Sequence, residues 1–345
     1  MVILKKSAKQ SNKSRRVIVG KYSNYYVSKF PHGLMFHHFH NADCKPAGQG
    51  SLTVEQFELI LNFVGIDNIL NPVEWLRKVE RGKLSQQDIC ITFDDGLKCQ
   101  LDVCLSVLEK YDLQAFWFIY SAPFEKLPVP IELYRRFRCE FFDNVDEYYV
   151  AFFEQYTAQL GKRIESEEFQ NYYSHYKDTF PFYSDNDIRY RYLRDCVLAP
   201  YHYQNIVEDL IRQRGSTLKY LAENLWLDND DLRNLCKNGH IIGLHSFDHP
   251  TKLENLPPKL QRDQYLFNKQ HLDSICEKTC VMSHPCNSYN DDTIKILDDL
   301  GISCGFRSNM LPPRGKSINP SRYEFAREDA SNLLQFYQRL SLQRL

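Results

Sequence analysis

Short apolar runs that end abruptly in chemistry-bearing polar residues recur along this chain of 345 residues. "GLMF" runs into His37, His38 and His40, and "ICITF" into Asp94 and Asp95. "HIIGL" runs into His245, Ser246, Asp248 and His249, and "VMS" into His284 and Asn287. The last two, "ISCGF" and "YEFA", end in Arg307 and in Arg327 with Asp329. Segments with apolar residues at helical spacing stand between several of these runs. In "TVEQFELILNFVG", Phe57, Ile60, Leu61 and Val64 share one face, with Thr53 as N-cap and Gln56 three residues on. Alternating strands and helices predict a parallel α/β sheet or barrel. In a parallel barrel all the strand ends meet at one rim, where sites are built.

The rhythm breaks between about 124 and 225. This stretch is rich in Tyr, Phe, Arg and Glu, has helical spacing and few strand signals, and predicts a helical insertion. The expected organisation is a polar lead-in over 1–30, an α/β domain over 31–330 interrupted by the insertion 124–225, and a C-terminal helix or tail over 331–345. With 43 Lys+Arg against 44 Asp+Glu, nothing electrostatic favours nucleic acid as a partner. No apolar run is long enough for a membrane span. The 11 cysteines form no CxxC pair, and Cys90, Cys104, Cys236 and Cys304 sit in apolar runs as buried free thiols do. The basic N-terminus lacks the apolar stretch of a secretory signal, so the expected setting is cytoplasmic.

"TFDDG" poses a chemical problem, because two adjacent carboxylates at the end of an apolar strand repel each other. Asp-Gly is a common turn pair, which explains one Asp and the glycine but not the doublet. "HSFDHP" supplies two imidazoles four residues apart just after another strand. Two His and one carboxylate make a complete facial set for a divalent metal with positions left open. One Asp then binds the ion, and the other stays free as a base beside a metal-activated water.

These two motifs together resemble those of the polysaccharide deacetylases, the NodB-like carbohydrate esterases of family 4. "LMFHHF" is similar to the Tyr-His strand end that opens many members, and "SHPCNSYNDDTIKILDDLGISCGFRS" to the segment around the third motif. The resemblance spans about 34–123 and 223–330. It implies a distorted (β/α) barrel of about seven parallel strands. It also implies a metal-dependent hydrolase that removes an N-acetyl, or less often an O-acetyl, group from an amino sugar. By the same resemblance Asp94 is the general base, Asp95, His245 and His249 hold the metal, and the backbone N–H of Cys286 helps bind the oxyanion. The default metal is zinc, with cobalt, nickel, manganese or iron as alternatives.

The chain departs from the family pattern at the third motif. Ser283 stands where many members have Arg, and Cys286 and Asn287 replace the usual aromatic and Gly. No His follows His284, so the late Leu-x-His motif is missing. His37 and His284 are the candidates for the general acid, with His37 favoured, and Arg327 and Asp329 are expected to form a charge pair near the base. The expected substrate is an acetylated amino sugar, nucleotide-linked, lipid-linked or free, used in surface glycan assembly. The alternatives are an inactive relative that binds glycan and, more remotely, a non-haem iron oxygenase.

Overall fold

The computed structural model describes residues 28–41, 48, 50–161, 165–179 and 184–342. Nearly all of the 1–30 lead-in thus lies outside the described residues. Among the described residues, one compact unit comprises 28–41, 50–127 and 226–342; the other comprises the described part of Pro128–Leu225 with Gly48.

The first unit opens with β1 (His32–Phe36), α1 (Val54–Val64), α2 (Pro72–Glu80), β2 (Ile89–Asp94), α3 (Lys98–Tyr111) and β3 (Phe116–Ile119). The second unit is helical: α4 (Pro130–Phe141), α5 (Val145–Leu160), α6 (Glu167–Thr179), α7 (Asp185–Tyr192), α8 (Pro200–Gln213) and α9 (Leu218–Ala222). Its aromatic-rich core buries Tyr148, Phe152, Ile188, Leu193, Ile206 and Val207 completely. The chain then returns to the first unit with α10 (Asn229–Lys237), β4 (Ile241–Leu244), α11 (Pro258–Asp273), β5 (Val281–Ser283), α12 (Asp291–Asp299), β6 (Cys304–Phe306), β7 (Arg327–Asp329) and α13 (Ala330–Leu342).

The seven strands form one sheet in the order β6-β5-β4-β3-β2-β1-β7, with every pairing parallel. The two edges approach closure where Phe306 bridges Phe325, just before β7. This is the distorted barrel that the strand-end pattern and the family resemblance lead one to expect. β2 and β3 are buried at every residue, which is why they read as unbroken apolar runs rather than alternating ones. The predicted cap of α1 is a capping box: Thr53 accepts from the Gln56 N–H while the Gln56 side chain accepts from the Thr53 N–H.

One expectation fails outright. Cys236, read as a buried free thiol, forms a disulfide with Cys276, their Cα atoms 6.5 Å apart. Spacing along the chain could not reveal this, because the two lie 40 residues apart on either side of β4 and α11. The cysteine argument for a reducing compartment falls with it. Cys90, Cys104 and Cys304 are free and buried. Among the described residues no helix is long and apolar enough to cross a membrane.

Candidate active site

The doublet sits where β2 stops. Asp94 is its last residue, and Asp95 and Gly96 follow with φ of 73° and 61°. Two consecutive left-handed residues turn the chain sharply out of the sheet toward α3. Such a conformation costs a non-glycine residue of the order of 1 kcal/mol or more. A side chain at Gly96 would be strained by that φ and would also press on Ile119 Cδ1, 2.9 Å from the Cβ position. The turn faces the two neighbouring carboxylates in different directions and gives them different partners.

Asp95 faces the "HSFDHP" loop. Its Oδ1 lies 3.5 Å from His245 Nε2 and 3.5 Å from His249 Nε2. One donor atom from each of the three residues fits within 4.8 Å of the others. His245 Nδ1 lies 3.0 Å from the Ser283 carbonyl, which can only accept, so Nδ1 carries the proton and Nε2 keeps its lone pair. Burial lowers the His245 pKa to about 3, against the opposing pull of Asp94, so the imidazole is neutral. Its backbone N–H donates to Asn268 Oδ1 at 2.9 Å, and the Asn268 amide donates to the Ile119 carbonyl and the Ser121 hydroxyl. His249, like Asp95, has left-handed backbone (φ 58°), and its ring lies 5.5 Å from that of Tyr120. One carboxylate and two imidazoles suit zinc and its neighbours in the first transition row, so the donor set fits the implied metal.

Asp94, only 2% exposed, faces the other way. Arg327 of β7 binds it through both nitrogens, at 2.6 and 2.7 Å, and the Ser283 hydroxyl donates to it at 3.2 Å. The guanidinium must cross β1 to reach β2. It can do so because the residue paired with Arg327 on β1 is Gly33, where a Cβ would stand 3.0 Å from Arg327 Cγ. Burial works to raise the Asp94 pKa, but the charge and hydrogen bonds of Arg327 hold the carboxyl well below its usual range. The charge pair expected between Arg327 and Asp329 is therefore not formed. Arg327 pairs with Asp94 instead, and Asp329 accepts the N–H and hydroxyl of Ser331 at the start of α13. His37 Nε2 stands 3.7 Å from Asp94 Oδ2, with its side chain 30% exposed.

The remaining predicted residues separate from this group. His284 is fully buried, its Nε2 donating to the Tyr323 carbonyl at 2.9 Å and its ring stacked on Tyr289 at 4.1 Å. Burial lowers its pKa to about 3, so it is a neutral packing residue rather than an accessible proton donor. Asn287 uses its side-chain oxygen to accept the Ser308 N–H. Cys286 is exposed, with left-handed backbone of φ 51°.

Three polar residues hold the site together, and two of them, Gln100 and Asn268, lie outside the motifs. Gln100 donates from one amide nitrogen to the carbonyls of His37 (2.7 Å) and Asp94 (2.5 Å), tying two strand ends together. Asn268 and Ser283 do the same for His245. The available signal is a polar residue on an otherwise apolar helix face: Gln100 and Asn268 are both completely buried.

The polysaccharide deacetylase family model matches residues 202–305, the segment that carries both His of the candidate metal set. The chain resembles the polysaccharide deacetylases. A putative polysaccharide deacetylase, YxkH, of Bacillus subtilis (strain 168) is 25% identical over 88 residues. That match spans 25% of this chain and 31% of the relative's length. The deacetylase PplD of Streptococcus pyogenes, solved in complex with acetate, shares the fold at a TM-score of 0.50 and 16% identity, over 90% of this chain and 98% of its own. IcaB from Ammonifex degensii aligns at a TM-score of 0.49 and 12% identity, over 89% and 97% of the two chains.

Proposed function

We propose that this chain is a metal-dependent hydrolase that removes the N-acetyl group of an amino sugar. The observation that carries the proposal is the division of labour within the Asp doublet. Asp95 shares a 3.5 Å cluster with His245 and His249, while Asp94 is clamped by Arg327 beside them. A glycan-binding relative without activity needs neither a metal set nor a second, oriented carboxylate.

Asp95, His245 and His249 would hold the ion. When bound, a divalent metal there polarises the acetyl carbonyl and makes water acidic enough to attack near neutral pH. Asp94, kept ionised and fixed in direction by Arg327, accepts the proton of the attacking water. Arg327 lowers the basicity of Asp94, and what it contributes is a fixed orientation and a carboxylate that is ionised when the water attacks. His37, partly exposed and 3.7 Å from Asp94, delivers a proton to the leaving amine. The Cys286 N–H, three residues beyond Ser283, is the proposed oxyanion donor.

The direct test incubates metal-loaded protein with N-acetylated amino sugars, free, oligomeric and nucleotide-linked, and follows the mass change of an acetyl group replaced by hydrogen. Elemental analysis should find about one divalent ion per chain. Asp95→Ala, His245→Ala and His249→Ala should each lose most of it. Full metal content in all three variants would sink the assignment.

A further inference from the structure

Next to His37, on the side away from β2, lies a second polar feature. A cavity of about 170 Å³ opens between the end of β1, the segment around Leu52 and the junction of β7 with α13. His37, His38, Asp329 and Ser331 line it together with Met35 and Leu52. It would hold about six waters at ~30 Å³ each, which is room for part of one sugar ring. His37 belongs to both places: its ring lines the cavity and its Nε2 stands at Asp94.

Asp329 gives the cavity its chemical character. Its Oδ1 takes the Ser331 N–H at 2.8 Å and the Ser331 hydroxyl. Among the described residues no cation pairs with it, since the one arginine nearby in sequence, Arg327, is spent on Asp94. A sugar entering the cavity strips water from this carboxylate. A hydroxyl would return one hydrogen bond and leave the charge uncompensated, whereas an ammonium returns both.

We propose that this cavity is the subsite for the sugar adjoining the one being deacetylated, and that Asp329 selects a protonated amine on that neighbour. The preferred substrate is then a partly deacetylated amino-sugar chain, in which one free amine guides removal of the next acetyl group. This inference rests on the deacetylase reading above.

Asp329→Asn separates selection from structure, because the amide oxygen can still cap α13 while the charge is gone. Two measurements decide the matter. The first is calorimetric binding of a glucosamine disaccharide carrying no acetyl group, which requires no turnover. The second is kcat/KM of the metal-loaded protein on two disaccharides whose neighbouring sugar carries either a free or an acetylated amine. We expect Asp329→Asn to weaken disaccharide binding about tenfold and to erase a similar preference for the free amine, while kcat on the acetylated neighbour is kept. Equal binding by wild type and Asp329→Asn overturns the subsite, even if the protein proves to be an active deacetylase. Asp329-dependent binding without any hydrolysis supports the subsite and overturns the deacetylase reading instead.

Discussion

Two adjacent carboxylates acquire different chemistry because the backbone turns between them. Asp94 belongs to the strand and meets Arg327, whereas Asp95 belongs to the turn and meets two imidazoles. Asp94→Asn should therefore retain the metal and lose turnover by on the order of 10²–10⁴, measured by elemental analysis alongside initial rates. A variant near the wild-type rate would remove Asp94 as base. Expelling an amine requires a proton, while an activated ester releases its alcohol without one. His37→Ala should accordingly slow amide hydrolysis far more than hydrolysis of an activated ester, and equal losses on both would make His37 a positioning residue. The clustering of Asp95 with the two His was legible in the sequence, because those residue types at strand ends are the ones a metal set would need. The partner of Asp94 was not. Ser283 stands where the family pattern leads one to look for Arg, and the guanidinium arrives from a strand 233 residues further along the chain.

Among the elements, the strands were the easiest to read, since full burial writes them as apolar runs. α11 left no such trace. Its buried face carries Gln261 and Asn268 beside Tyr265 and Leu272, so polar residues interrupt the apolar period, and one of them, Asn268, supports His245. Buried polar residues also give the barrel its expected response to acid. His240, just before β4, accepts the Ala115 N–H on Nδ1 and packs edge-on against Trp117. Burial lowers its pKa to about 4. The unfolded chain takes up this proton near pH 6.5, and the folded one only near pH 4, so stability falls as pH drops across that window. The loss from this group is about 3 kcal/mol. His240→Asn keeps an acceptor for Ala115 and should flatten that part of the slope in denaturant midpoints at neutral and acidic pH. An unchanged slope would assign the acid sensitivity to other buried imidazoles, such as His284.

At the scale of the whole molecule, the metal proposal has a spectroscopic consequence. The three tryptophans, Trp75, Trp117 and Trp226, all lie in the barrel unit, so their fluorescence reports its unfolding and not that of the tyrosine-rich helical unit. An ion that binds only the folded barrel should raise the tryptophan-detected melting point. At a hundredfold excess over its dissociation constant the stabilisation is about 2.7 kcal/mol, or several degrees. A midpoint indifferent to zinc and to chelator would count against a site in the barrel. The left-handed backbone of Asp95 and His249 carries a further implication. Both conformations suit glycine better than the residues found there, and under the proposed metal role the demand for ligands keeps Asp and His in place. A descendant released from that demand would gain stability by drifting to Gly at these two positions. If the proposed activity were lost, its loss would then be written first at 95 and 249, while the rest of the barrel stayed intact.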